Sequence, residues 1–161
     1  MSIVEKKLLA LGLNLSAAKP PVGNYLGSKK SGTMLFASGR VSELKGAVGT
    51  DVSEAAAKEA ARDTVLAILS IVKQDISDLD QITGVIKLTG FIHSPPEFTG
   101  QPSVLDGASD LLIELFGKNG AHARTATGVA QLPFGAAVQL DIIFEIKSGS
   151  EPQNCGDAKL H

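Results

Sequence analysis

The strongest constraint on the fold is a regular alternation of apolar and polar residues over positions 137 to 147. Successive side chains of a β-strand point to opposite faces of a sheet, so this period of two predicts a strand with one buried face and one polar or interfacial face. Such a strand requires a sheet that is covered on one side. The apolar positions are Val138, Leu140, Ile142, Phe144 and Ile146, and the polar ones include Gln139, Asp141, Glu145 and Lys147.

Upstream of this strand, periodicity and turn residues predict two helices and four shorter strands. The clearest helix spans residues 51–74, where Asp51 followed by Glu54 has the form of a capping box and apolar residues recur at helical spacing. A second helix is predicted over residues 103–116, with Ser103 and Asp106 suited to its N-terminus. The strands are predicted over residues 25–29, 33–40, 85–92 and 122–131.

The resulting order is β-β-α-β-α-β-β, which predicts an α+β domain with a mixed sheet and two helices on one of its faces. In the third strand, Ile86, Leu88 and Ile92 are expected to share one face, and Lys87 and Thr89 the other. Residues 1–148 form a single domain in this interpretation. Residues 149–161 are polar and carry glycine and proline, so we expect a disordered C-terminal tail.

The bulk composition argues against several classes of protein. Of 161 residues, 43% are hydrophobic and 20% are charged, which suits one globular domain. The net charge is −2 and no basic stripe is present, so nucleic-acid binding is not expected. No apolar run reaches the length of a membrane span, and the N-terminus lacks the form of a signal peptide. We therefore expect a cytoplasmic protein.

Common catalytic and cofactor motifs are missing from the sequence. The segment GSKKSGT at residues 27–33 lacks the first glycine of a phosphate-binding loop, and neither G-x-S-x-G nor G-x-G-x-x-G occurs. His93 and His122 are not spaced as metal ligands and are expected to be surface residues. The single cysteine, Cys155, excludes an internal disulfide or a cysteine-based metal cluster. We expect neither a metal nor an organic cofactor.

Three segments carry a family resemblance that covers residues 20–147. The first is PVGNYLGSKKSGTMLFASGR at residues 21–40, and the second is VIKLTGFI followed by the pair Glu97-Phe98. The third is HARTATGVAQLP at residues 122–133, followed by the alternating strand. Together they resemble the YjgF/Rid (reactive intermediate deaminase) family. The segment from Ser103 to Arg124 is most similar to a longer subgroup of that family, often called "endoribonuclease L-PSP-like".

The resemblance implies a chorismate-mutase-like fold, a homotrimer and ligand sites in the clefts between subunits. It also implies that Arg124 binds the carboxylate of a small ligand, such as an imine or a 2-keto acid. A guanidinium group suits this role because its planar fork can form two parallel hydrogen bonds to a carboxylate. Tyr25, Ser38 and Gly39 match residues that line the cleft. The reaction of the deaminase members is the hydrolysis of enamine or imine intermediates to a 2-keto acid and ammonia.

Several positions depart from the deaminase pattern. Ala126 stands in place of a cysteine, and Gln139 stands where a glutamate holds the attacking water. Glutamine can orient a water molecule but cannot accept its proton at neutral pH, whereas Asp141 is two residues further on and should share the same face. Asp106 replaces an asparagine that often lines the cleft.

Three functions remain open from the sequence. They are an imine or enamine deaminase, a ligand-binding or sensing trimer without turnover, and a ribonuclease or translation inhibitor. The acidic composition and the absence of a histidine pair argue against the last of them.

Overall fold

The computed structural model describes residues 1–149, which contain three α-helices and five β-strands. Residues 150–161, which make up nearly all of the expected tail, lie outside the described residues. Short 3-10 turns connect several of the elements. The helices are α1 (Ile3–Ala10), α2 (Glu54–Ile76) and α3 (Gln101–Phe116), and the strands are β1 (Ser28–Ser31), β2 (Met34–Val41), β3 (Ile82–His93), β4 (Ala123–Val129) and β5 (Val138–Ile146).

The five strands form one mixed sheet in the order β1-β2-β5-β3-β4. The neighbours β3 and β4 are parallel and are joined through α3, whereas all other pairs are antiparallel. Helices α2 and α3 pack against each other and against the sheet, with α2 on β5 and α3 on β3. The predicted α+β class and the order β-β-α-β-α-β-β are confirmed, with the short helix α1 added before them.

The alternation that defines β5 separates the two faces of the sheet. Its five apolar side chains, at the even positions from 138 to 146, are at most 1% exposed and belong to the hydrophobic core beneath the helices. Gln139, Asp141 and Ile143 point to the other face and are only partly buried. We call that other face the outer face of the sheet.

Both long helices begin at residues other than those predicted. Helix α2 is capped by Ser53, whose hydroxyl accepts a hydrogen bond from the amide of Ala56, so the prediction of an Asp51 cap is wrong. The Asp51 carboxylate instead accepts a hydrogen bond from the amide of Ala47 in the preceding turn. Helix α3 begins at Gln101, with Gly100 as its cap, rather than at Ser103. Pro102 explains this earlier start because a proline needs no amide partner in the first turn of a helix.

The prediction that Ile86 shares a face of β3 with Leu88 and Ile92 is wrong. The pairing between β3 and β5 shifts register between Val85 and Lys87, which marks a β-bulge. An extra residue in a strand reverses the facing of the side chains that precede it. Val85 therefore joins the core while Ile86 is 38% exposed, and Leu88 and Ile92 are both buried.

A bulge also lies in β2. Ala37 pairs with Ile142 and Arg40 pairs with Leu140, so Ser38 and Gly39 together lie opposite the single residue Asp141. The last pair between β1 and β2 joins Ser28 to Ala37, immediately before this bulge. Strand β1 consequently starts at residue 28 rather than at the predicted residue 25.

Candidate functional site

Four of the six predicted site residues line one cleft of about 1080 Å³. Tyr25 enters it from the segment before β1, where the chain is not part of a strand. Ser38 and Gly39 enter it from the bulge of β2, and Gln139 enters it from β5. The bulge therefore brings two consecutive residues, Ser38 and Gly39, to the cleft, opposite the single residue Asp141 of β5.

The bulge is held by hydrogen bonds to the segment that carries Tyr25. The Ser38 hydroxyl donates to the carbonyl of Leu26 at 2.6 Å, and the Ser38 amide donates to the carbonyl of Gly27 at 2.9 Å. A Cβ atom at position 39 would lie 3.2 Å from Nε2 of Gln139, which is tighter than ordinary contact. A glycine at position 39 thus leaves room for the Gln139 amide.

A carboxylate lies beside Gln139 on the outer face. Asp141 is two residues along β5 and is opposite the bulge, as the period of a strand predicts. Burial raises the pKa of the Asp141 carboxyl above its ordinary value, and this rise is opposed by a hydrogen bond from Thr89 and by the charge of Lys87. Gln139 can hold a water molecule by hydrogen bonds, and Asp141 is the nearby group on β5 that can accept a proton.

The cleft also contains residues that the sequence did not identify as part of a site. Phe134 lines it with a side chain that is 64% exposed and with a backbone φ of 61°, a conformation that is uncommon for residues other than glycine. Lys19 forms an ion pair with Glu43, and the Arg40 guanidinium donates to the carbonyl of Lys19 at 3.1 Å. The walls of the cleft therefore combine both signs of charge with an exposed aromatic ring.

The other two predicted residues, Arg124 and Asp106, form a separate cluster. Nη1 of Arg124 donates to Oδ1 of Asp106 at 2.6 Å and to the Ser109 hydroxyl at 3.2 Å. Helix α3 presents Asp106 and Ser109 three residues apart, so both face the strand β4 that carries Arg124. Among the described contacts, Arg124 makes hydrogen bonds through Nη1 alone, so none of these bonds involves Nε or Nη2.

His122 extends this cluster and is more than a surface residue, contrary to the prediction. Its Nδ1 lies 2.6 Å from the carbonyl of Gly120, and its Nε2 lies 3.0 Å from the Ser109 hydroxyl. A carbonyl can only accept, so Nδ1 carries the hydrogen, and in the neutral ring Nε2 accepts from Ser109. Ser109 then donates to His122 while it accepts from Arg124. The three-residue spacing of Asp106 and Ser109 on a predicted helix is the sequence feature from which this network could have been predicted.

Arg124 and Gln139 lie on opposite faces of the sheet. Arg124 is in register with Leu88, which is fully buried on the helix side, whereas Gln139 is in register with Phe91, three residues further along the same strand. Residues at odd separations in a strand point to opposite faces. The structure therefore divides the predicted site residues into two candidate half-sites, the Tyr25–Gln139 cleft and the Arg124 cluster.

Within residues 1–149, no group of three histidine, cysteine or acidic side chains is arranged to hold a metal ion. None of the helices in that part of the chain is both long and apolar enough to cross a lipid bilayer.

The sequence matches the family described as "YjgF/chorismate mutase-like, putative endoribonuclease" over residues 5–146. The chain belongs to this YjgF family. Protein TCP17 of Trypanosoma cruzi is 40% identical over 152 residues, which cover 90% of this chain and 95% of TCP17. The crystal structure of Atu1372 from Agrobacterium tumefaciens superposes with a TM-score of 0.84 at 41% identity, and the match covers 90% of this chain and 93% of Atu1372.

The fold is shared with a more distant solved structure. The structure of E. coli TdcF with bound serine superposes with a TM-score of 0.51 at 20% identity, covering 81% of this chain and 94% of TdcF. At this level of identity the match shows the fold alone. The predicted family and the chorismate-mutase-like fold are thus confirmed.

Proposed function

We propose that the protein binds a small carboxylate between two subunits, with the Arg124 cluster of one subunit facing the Tyr25–Gln139 cleft of its neighbour. The free edge of Arg124 carries this proposal. Nη1 is held by Asp106 and Ser109, and the Nε and Nη2 hydrogens point side by side along the other edge. That edge matches the two oxygens of a carboxylate.

The separation of the two half-sites supports a site shared between subunits. A ligand that touches both Arg124 and Gln139 cannot do so within one chain, because the sheet lies between them. A contact that brings the β4 edge of one copy against the β2 bulge of another is head-to-tail, and such contacts form a ring when the rotation between copies closes. We propose a homotrimer as this ring.

The outer face of the sheet gives independent support for the homotrimer. Phe36 is 38% exposed on this face, and Ile86 is 38% exposed at the bulge of β3. The partly buried Phe91 and Ile143 lie on the same face between polar neighbours. Apolar side chains grouped on one face of a sheet are commonly covered by another layer of protein. In the proposed trimer, the other two subunits supply that layer.

The proposed reaction is hydrolysis of a 2-imino acid, or of the enamine that tautomerises to it. Water held by Gln139 adds to the carbon of the C=N bond, and its proton passes to the nitrogen, directly or through Asp141. The carbinolamine then collapses to a 2-keto acid and ammonia. The chain contributes positioning and proton transfer. The serine bound by TdcF carries a carboxylate and an amino group, which is consistent with a ligand of this size.

A second candidate function is ligand sensing without turnover. Its supporting observation is that an amide, Gln139, and a methyl group, Ala126, stand at the positions of the deaminase glutamate and cysteine. Asp141 is the remaining proton acceptor on that part of β5, and it is already hydrogen-bonded to Thr89. Under this function the cleft would bind the same carboxylates but leave them unchanged.

A coupled assay separates the two functions. A pyridoxal-phosphate-dependent dehydratase generates 2-aminoacrylate, and 2-keto acid formation is followed with and without this protein. Acceleration that disappears in Arg124→Ala supports the deaminase, and its further loss in Asp141→Asn would assign the proton transfer to Asp141. Binding of pyruvate by calorimetry, without acceleration, supports the sensor. If the protein neither accelerates keto-acid formation nor binds pyruvate in a manner that depends on Arg124, the proposed site is refuted.

A further inference from the structure

The Arg124 cluster presents a negative charge beside its positive one. Oδ1 of Asp106 contacts Nη1 of Arg124 at 2.6 Å, while no described hydrogen bond involves Oδ2. The Asp106 side chain is 46% exposed and the Arg124 side chain is 27% exposed, so both side chains are partly accessible to a ligand. A ligand bound to the free edge of Arg124 therefore shares the guanidinium group with the carboxylate of Asp106.

Arg124 is held at a second point beside Asp106. The Ser109 hydroxyl accepts from Nη1 at 3.2 Å, and it is itself fixed by His122, which is anchored to the carbonyl of Gly120. Two acceptors on one nitrogen keep the guanidinium plane and its free edge in a defined direction. Asp106 therefore remains beside the ligand when Arg124 is occupied.

We propose that Asp106 makes the site selective for zwitterionic ligands, namely α-amino acids and protonated α-imino acids, over 2-keto acid anions. This inference rests on the proposed carboxylate site at Arg124. A ligand with only a carboxylate gains the contact with Arg124 but places its charge near that of Asp106. A ligand whose α-nitrogen is cationic places opposite charges next to both residues, and like-charge contacts are strongly disfavoured where water is excluded.

The selectivity has a consequence for turnover. Hydrolysis of a protonated imino acid replaces its cationic nitrogen with a neutral carbonyl oxygen and releases ammonium. The product therefore keeps the carboxylate and loses the group that Asp106 attracts. Asp106 would favour the substrate and promote release of the 2-keto acid.

The test compares L-alanine with pyruvate, which share a carbon skeleton and differ in the α-substituent. Their dissociation constants are measured by calorimetry for the wild-type protein and for Asp106→Asn, which keeps the shape and an acceptor oxygen for Arg124 but removes the charge. We expect the wild type to prefer L-alanine. In Asp106→Asn, the affinity for pyruvate relative to that for L-alanine should rise by on the order of tenfold or more.

The matched control is Asp110→Asn, which removes a carboxylate from the same helix. Oδ2 of Asp110 lies 3.9 Å from Nζ of Lys58, so its ion-pair partner is Lys58 rather than Arg124. It should leave the ratio unchanged. If Asp106→Asn behaves like this control while Arg124→Ala loses both ligands, the selectivity is refuted and the carboxylate site stands. If Arg124→Ala binds both ligands as well as the wild type, or the wild type binds neither, the proposed site and the inference both fail. A wild type that binds pyruvate more tightly than L-alanine overturns the inference whatever the variants do.

Discussion

Mixing two inactive variants tests whether the site is shared between subunits. Arg124→Ala removes the anchor from one half-site. Gly39→Leu fills the other, because even a Cβ at position 39 would lie 3.2 Å from the Gln139 amide. Each variant alone should form trimers that do not bind the ligand. If the half-sites belong to different subunits, each mutant chain still carries one intact half.

The expected recovery follows from the geometry. In trimers assembled at random from equal amounts of the two variants, a site is intact when its Arg124 comes from a Gly39→Leu chain and its cleft comes from an Arg124→Ala chain. Both conditions hold for roughly one quarter of the sites, since each has a chance of one half in a ring of head-to-tail contacts. A site built within one chain would give no recovery, because every chain is defective.

The assay is the binding stoichiometry of pyruvate or L-alanine after the variants are unfolded together and refolded, with mixed trimers confirmed by mass spectrometry. A control mixes wild-type chains with chains that carry both substitutions. Shared sites again predict roughly one quarter occupancy, whereas sites within one chain predict roughly one half. No recovery in verified mixed trimers, together with half occupancy in the control, would refute the separation of Arg124 from the cleft.

Further predictions concern assembly, pH and packing. Analytical ultracentrifugation should give a mass about three times 16.7 kDa, and a monomer at all concentrations would contradict the proposed trimer. Hydrogen bonds from Lys73 and from the Ser2 amide lower the pKa of Glu5 from 4.5 to about 2. The Glu5 carboxylate is therefore protonated, and its stabilising effect lost, as the pH falls from 4.5 to about 2. Over this range the free energy of unfolding of the wild type should fall by about 1 kcal/mol more than that of Glu5→Gln, which lacks the carboxylate. A Cβ at Gly107 would lie 2.0 Å from the carbonyl oxygen of Lys58 on α2. Gly107→Ala should cost about 3 kcal/mol in chemical denaturation, and an unchanged midpoint would contradict the close packing of α2 and α3.

The sequence predicts elements well where apolar residues repeat without interruption. Strand β5 and the body of α2 follow their patterns because each keeps one face in the core along its whole length. The register shifts at Thr83 and Ile86 in β3 and at Ser38-Gly39 in β2 were not predicted. A bulge depends on the register of the neighbouring strand, and a single strand's sequence does not contain that register.

The resemblance names candidate site residues but does not give their arrangement. In β4, the segment ARTATGV has no alternation of large apolar and polar residues, so periodicity does not show which way Arg124 points. Its direction is set by Asp106 and Ser109 on α3, together with the parallel register between β3 and β4. The division into two half-sites follows only once that register is known.

Each half-site is organised by its own chain before any contact with a neighbour. Arg124 is held by Asp106 and Ser109 of the same subunit, and the bulge beside Gln139 is held by the hydrogen bonds of Ser38 to the preceding segment. Ordering side chains at an interface costs about 0.5–1.5 kcal/mol for each long side chain that loses its freedom. Because these groups are already fixed, closing the proposed site between subunits would avoid most of that cost, and the ligand would meet hydrogen-bonding groups that are already in position.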